Sequence, residues 1–268
     1  MEIKDSYSFD DFRKIIARLR DKDGCPWDRE QTHESLRDCM LEEAYEAAEG
    51  IDIYHKTGDD TNLCEELGDI MLQVMLHAQI GEEEGRFTVD DVITSISKKM
   101  INRHPHVFGQ GHADNSAQVL DNWEEIKKKE KSEQTITEGM RRVAKALPAT
   151  IRASKVQKKA AKVGFDFQDW KGAAAKISEE LSEVSEAAEN SDFSHLQEEI
   201  GDLMFSVINL SRLLGVNAEN ALTNATEKFI NRFEYVEEEA VKRGFNLSDM
   251  SIRQMDTLWS ETKHPKEQ

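Results

Sequence analysis

One acidic pattern, written twice, constrains this chain more than any other feature. Glu42, Glu43 and Glu46 are followed one loop later by Glu65, Glu66 and Asp69, and the order returns as Glu179, Glu180, Glu183, Glu198, Glu199 and Asp202. Each copy holds two i,i+3 carboxylate pairs, Glu43/Glu46 with Glu66/Asp69 and Glu180/Glu183 with Glu199/Asp202. Residues three apart share one side of an α-helix, so each pair should project together. The apolar residues repeat as well. Leu63, Leu67, Ile70, Met71, Val74, Met75 and Ala78 recur at helical spacing and map onto Leu196, Ile200, Leu203, Met204, Val207, Ile208 and Ser211. Further on, Lys99-Met-Ile-Asn-Arg103 parallels Lys228-Phe-Ile-Asn-Arg232, and Trp123-Glu-Glu-Ile-Lys127 parallels Trp259-Ser-Glu-Thr-Lys263. Core positions recur in any duplicated bundle, whereas a solvated face has little physical reason to keep its charges, so the polar matches carry the weight.

The repeat divides the 268 residues into units at 1–132 and 138–268. In the first, Ser8 to Asp11 reads as a capping box ahead of a helix with Phe12, Ile15, Ile16 and Leu19, which stops at Asp23-Gly24. Cys25-Pro26-Trp27-Asp28 reads as a turn, followed by a helix from near Thr32 to Gly50, a loop over 52–62, and the helix of the periodic stripe from Leu63. A helix from about Val89 to Arg103 closes at His104-Pro105; 106–116 reads as irregular, and a short helix spans about Trp123 to Lys131. The second unit repeats the plan, with a helix from about Pro148 and a turn at Gly164. Helices over Trp170–Glu189, Phe193–Leu214 and Asn217–Arg243 follow, then a turn near Trp259. Strand-like alternation is absent, so the expected fold is all-α, each unit a bundle of about four helices.

Composition narrows the partners. Lys plus Arg is 35 against 53 Asp plus Glu, a net charge of −18, which opposes binding to nucleic acid or an anionic membrane. Three cysteines (Cys25, Cys39, Cys64) without CxxC spacing indicate neither a disulfide framework nor a zinc ribbon. No apolar run reaches the roughly 18 residues of a membrane span, and the charged first residues do not read as a signal peptide. The expectation is a cytoplasmic protein.

Relative to each apolar stripe, at about 100° per residue, the carboxylates of both acidic helices fall on the same angular side. Two antiparallel neighbours packed stripe to stripe would therefore present them across one groove. Such a cluster repels itself unless a cation or proton neutralises it, and all-oxygen donors suit Mg²⁺ or Mn²⁺. The competing reading is a solvated acidic face. A carboxylate-held Mg²⁺ beside Lys and Arg suggests phosphate chemistry: Lys228 and Arg232 stand one turn apart and could reach one polyphosphate, with Lys99 and Arg103 as their counterparts. Trp259 either stacks on a base or caps the core, and Lys263 nearby is the reason to consider a nucleotide. His104-Pro105-His106 reads as a tight turn with surface imidazoles.

Glu-Glu-x-x-Glu, a spacer, then Glu-x-x-Asp resembles the signature of the MazG-type nucleoside triphosphate pyrophosphohydrolases. Cys25-Pro-Trp-Asp28, His104-Pro-His-Val-Phe-Gly109 and Val163-Gly-Phe-Asp166 also resemble the two-domain bacterial members. The resemblance covers nearly the whole chain. It implies Mg²⁺-dependent hydrolysis of NTPs and dNTPs to the monophosphate and pyrophosphate, and a homodimer whose four-helix cores form between subunits or domains. It also implies metal ligation by Glu180, Glu183, Glu199 and Asp202, with Glu43, Glu46, Glu66 and Asp69 as the weaker first-unit equivalents. Lys228, Arg232, Trp259 and Lys263 would contact the nucleotide; Lys99, Arg103, Trp123 and Lys127 are their weaker equivalents. Glu180 is the candidate general base, and Glu199, Lys228 and Arg232 complete the catalytic set. The second unit is expected to be the active one, because the first inserts 104–116 after its cationic helix. Two rivals stand beside this reading: a non-catalytic nucleotide sensor and a narrow pyrophosphatase for one modified nucleotide.

Overall fold

The computed structural model describes residues 3–130 and 135–262, without the side chains of Asp121 and Lys128. Among them the regular structure is helical and no strand forms. The chain separates into two compact units, Met1–Lys131 and Ser132–Gln268.

In the first unit, α1 (Phe9–Arg20) starts on the Ser8/Asp11 capping box. Pro26 is the first residue of a short helix, α2 (Pro26–Glu30), so Cys25–Asp28 is a helix start rather than a turn. Proline is tolerated there because the first helical N–H has no partner within the helix. The next helix, α3 (Arg37–Thr57), does not end at Gly50 as the sequence suggested. A Cβ at Gly50 would lie 3.0 Å from both Asn62 Oδ1 and Leu63 Cα, so this glycine lets α3 approach the start of α4 (Thr61–Glu83). The helix stops instead at Gly58, whose φ of 77° is left-handed. Then come α5 (Val89–Arg103), on a Thr88/Asp91 capping box, and α6 (Pro105–Phe108). The helix around Trp123, α7 (Ser116–Glu130), begins earlier than its apolar pattern indicated. Ile16, Leu36, Met75, Leu76, Ala78, Ile80 and Val89 form the core, with Phe12, Leu19 and Leu72 against it. Ile16 is fully buried, so truncating it to alanine should cost about 2–5 kcal/mol.

In the second unit, α8 (Ile136–Arg141) forms on a Thr135/Glu138 capping box where apolar periodicity is too short to read. After α9 (Ala149–Ala161) the chain turns at Gly164, φ 83°. Asp169, Asp192 and Asn217 cap α10 (Trp170–Glu189), α11 (Phe193–Leu213) and α12 (Ala218–Lys242). The segment around Trp259, expected as a turn, is a helix, α13 (Ile252–Glu261), started by a Ser251/Gln254 capping box. Val236, Ala240, Met250 and Leu258 form a core on which Leu247, Met255 and Trp259 pack.

Each unit is built on one helical hairpin, α3 with α4 and α10 with α11. Part of the periodic stripe does not face a core. Leu67 and Met71 remain 52% and 48% exposed, and Ile200 and Met204 44% and 52%, while Leu76 and Ile80 are buried. Near its C-terminal end α4 packs with Ile16 of α1 and Val89 of α5, and its start lies against α3 at Gly50.

Candidate metal and nucleotide site

The second-unit hairpin brings Glu180, Glu199 and Asp202 together, with one oxygen of each within 4.8 Å of the others. Glu180 and Glu199 are only 4% and 9% exposed, whereas Asp202 is open to solvent. Two carboxylates at that depth require a counter-charge. Lys176 Nζ lies 2.8 Å from Glu180 and also contacts Glu179 at 2.8 Å, hydrogen bonds that raise its pKa above the usual lysine range. His195 Nε2 lies 2.8 Å from Glu199. Glu183 stands outside the trio but close enough to feel it. Its pKa is raised, first by loss of hydration and then by the charges of Glu199 and Glu180.

The first-unit hairpin gathers Glu43, Glu46 and Glu66 on the same criterion, with Asp69 outside the trio. Glu46 has a raised pKa, again from loss of hydration before the charges of Glu43, Glu42 and, further down, Asp69. Its polar neighbours are neutral. Asn62 Nδ2 donates to Glu66 at 2.9 Å, and the buried Gln73 donates to Glu43 through Nε2 at 3.4 Å. Cys39 occupies the position of Lys176, and Asn62 that of His195.

The donor sets fit a hard divalent cation: each is all carboxylate, negatively charged, and in the second unit two of its members are buried. Lys176 and His195 were not singled out from sequence. Each lies four residues before its carboxylate on the same helix, the spacing that pairs side chains, and that was the available signal.

The cationic and aromatic residues meet one another. On α12 the Arg232 guanidinium carbon is 5.8 Å from the centroid of Trp259, whose ring is 5.0 Å from Phe229. In the first unit Arg103 lies 5.5 Å from Trp123 and forms an ion pair with Glu130 at 2.5 Å. The repeated Arg and Trp are thus one stacked pair per unit, and Trp259 packs on the core, one of the two uses weighed for it. Lys228 and Lys99 are exposed on the same helices as these arginines; no hydrogen bond or ion pair among the described residues joins Lys228 or Arg232 to the carboxylate trio. Lys127 lies on α7. Lys263 falls outside the described residues. His104 and His106 are partly buried rather than surface groups. His104 packs edge-on to Trp123 at 4.9 Å, with Nδ1 2.6 Å from the Met100 carbonyl.

Comparison with known proteins bears directly on this arrangement. The family model for the MazG nucleotide pyrophosphohydrolase domain matches twice, over residues 31–108 and 168–237, each match holding one hairpin. A Thermotoga maritima protein named nucleoside triphosphate pyrophosphohydrolase/pyrophosphatase MazG is 43% identical over 255 residues, 95% of each chain. An Escherichia coli K12 nucleoside triphosphate pyrophosphohydrolase is 41% identical over 93% of this chain and 94% of its own. The uncharacterized Bacillus subtilis protein YabN is 48% identical over 96% of this chain, which spans 52% of that relative. The chain therefore belongs to the MazG nucleotide pyrophosphohydrolase family.

Proposed function

We propose that this chain hydrolyses nucleoside triphosphates, ribo and deoxy, to the monophosphate and pyrophosphate with Mg²⁺ or Mn²⁺, and that the second unit does the work. The observation that carries this is the Glu180, Glu199 and Asp202 trio, half-buried and flanked by Lys176 and His195. The names of the Thermotoga and Escherichia relatives support the reaction class.

Glu180, Glu183, Glu199 and Asp202 would hold the metal. When bound, Mg²⁺ neutralises phosphate oxygens, polarises the α-phosphorus and makes water a better nucleophile at neutral pH. Glu180 takes the proton of the attacking water, and Lys176, 2.8 Å away, holds its carboxylate in place. Lys228 and Arg232 hold the β and γ phosphates and offset the charge that develops on the leaving pyrophosphate. Trp259, aligned by Phe229 and Arg232, stacks on the base, and Lys263 completes the nucleotide contacts. Stacking distinguishes bases poorly, so broad base tolerance follows.

The half-exposed apolar faces of both hairpins suit a second hairpin laid against them, which would complete four-helix cores in a homodimer. Free thiols at Cys25, Cys39 and Cys64 fit a reducing cytoplasm, where the activity would cleanse the nucleotide pool or adjust it under stress. The test is to incubate the protein and Mg²⁺ with each of the four NTPs and dNTPs while following pyrophosphate and orthophosphate separately. Pyrophosphate from all supports the proposal, and pyrophosphate from one alone removes the base tolerance. Orthophosphate as the direct product would overturn the mechanism, and no product would overturn the activity.

A further inference from the structure

A cleft of about 340 Å³ opens in the second unit between α9, α11 and the start of α12. Its polar wall consists of Thr150, Ser154, Lys155, Lys158, Arg212 and Glu219. Three cations on one concave surface are unexpected in a chain of net charge −18. Glu219, the acid of this wall, already accepts a hydrogen bond from the Thr150 hydroxyl. The side chain of Arg212 is 11% exposed and its guanidinium is fixed on two edges: Nε and Nη2 donate to Asn209 Oδ1 at 3.0 and 2.7 Å, and Nη2 is ion-paired with Asp166. Its remaining nitrogen, Nη1, donates to no described acceptor. Neither Lys155 nor Lys158 has an ion-pair partner among the described residues. The matching corner of the first unit, between α1 and the start of α5, differs in this respect, because there Arg13 is paired with Asp90 at 3.2 Å and Glu82 at 3.9 Å.

We infer that this cleft is a binding site for a small phosphate-bearing anion, separate from the acidic hairpin site. Lys155 and Lys158 supply mobile positive charge at its mouth. Arg212, immobilised by Asn209 and Asp166, presents Nη1 as a fixed donor, and Ser154 adds a neutral hydroxyl. A guanidinium held rigid loses little freedom on taking up an anion, so its hydrogen bonds count more fully toward affinity. Pyrophosphate, the leaving group in the proposed reaction, fits such a volume, and its return to this cleft would let product level act on the same unit. The site itself stands on the cleft and its cations, whatever the acidic hairpin does.

The experiment uses the full-length chain without divalent cations, in chelator and at low salt, titrated with pyrophosphate by calorimetry. One saturable site is expected. The exchange of both lysines, Lys155→Ala with Lys158→Ala, should weaken it about tenfold or more, while Lys155→Arg with Lys158→Arg, which keeps both charges, retains it. Two results would overturn the inference: no saturable binding, or equal binding to the double alanine variant. Both lysines are exposed on the cleft wall and have no ion-pair partner among the described residues, so the variants are expected to fold, with helicity checked by circular dichroism.

Discussion

At Glu180 the nearest counter-charge is the ammonium of Lys176, 2.8 Å away, while at the matching Glu43 the neighbour is the amide of Gln73 at 3.4 Å. At Glu199 the nearest polar partner is the imidazole of His195, and at the matching Glu66 the amide of Asn62. The hairpins place three carboxylates within reach of one another in both units, so duplication has kept the frame and changed what surrounds it. The lesson is about the source of neutralisation. In the second unit part of the negative charge is balanced from within the helices. In the first, no ion pair to the trio forms among the described residues, and the amide partners there can neither accept nor release a proton near neutral pH. A reaction that needs a deprotonated carboxylate and repeated proton transfer is better served by the second arrangement.

The largest effect that would sharpen this contrast is at the cationic helix. Arg232→Ala is expected to lower kcat/KM by about a hundredfold or more, as for the loss of a donor to developing charge. Arg103→Ala, whose guanidinium is tied to Glu130, should leave steady-state turnover within about twofold. Equal losses in the two variants would erase the distinction between the units. Next comes Lys176→Ala. Removing the partner of a carboxylate proposed to hold the metal should cost roughly 10- to 100-fold in activity or metal affinity. Cys39→Ala at the equivalent place should cost almost nothing in either measurement.

A smaller effect concerns stability without divalent ions. The raised pKa values of Glu46 and Glu183 mean that the folded state binds their protons more readily than the unfolded chain does. Their ionisation therefore opposes folding: the stability they lend is present in acid and is lost as pH rises through the raised value. Glu46→Gln and Glu183→Gln should each raise Tm at neutral pH in chelator, with the gain shrinking as pH falls through the raised value and gone below the ordinary glutamate value of 4.5. Mg²⁺ should raise the Tm of the parent chain by mass action. A lower Tm for both variants would show that these acids are not electrostatically crowded.

The smallest effect belongs to the first unit alone. His77 Nδ1 lies 2.8 Å from His33 Nδ1, and burial followed by the nearness of His33 lowers its pKa from 6.5. The unfolded chain then takes up the proton first, so stability should fall as pH drops below about 6.5. Urea unfolding of His77→Leu between neutral and mildly acid pH should show a shallower acid-side loss. An unchanged slope would remove the pair from the account. The matching residue in the second unit is already Leu210.

Much of this was legible in the sequence because local rules determined it. Trp170–Glu189 was read to the residue, since Asp169 is a strong N-cap and the chain leaves the helix through Asn190. The capping box at Ser8 was likewise complete in its own four residues. What escaped depended on contacts across helices. Gly50 reads as a stop until α4 is seen pressing on it, and Leu67 and Met71 read as core until each is seen to be about half exposed. The carboxylate pairs were visible as patterns, but the i,i+4 bases Lys176 and His195 looked like ordinary helical surface until burial of Glu180 and Glu199 gave them a purpose. In a chain rich in charge, spacing alone does not reveal which ion pairs are desolvated.

The most direct test of the central claim is pyrophosphate release from a nucleoside triphosphate and Mg²⁺ by two matched variants, Glu199→Ala and Glu66→Ala, beside the parent chain. The account predicts that Glu199→Ala loses turnover by about a hundredfold or more with helicity intact, while Glu66→Ala keeps most of it. Retained turnover in Glu199→Ala, or its loss in Glu66→Ala alone, would contradict the assignment of the reaction to the second hairpin.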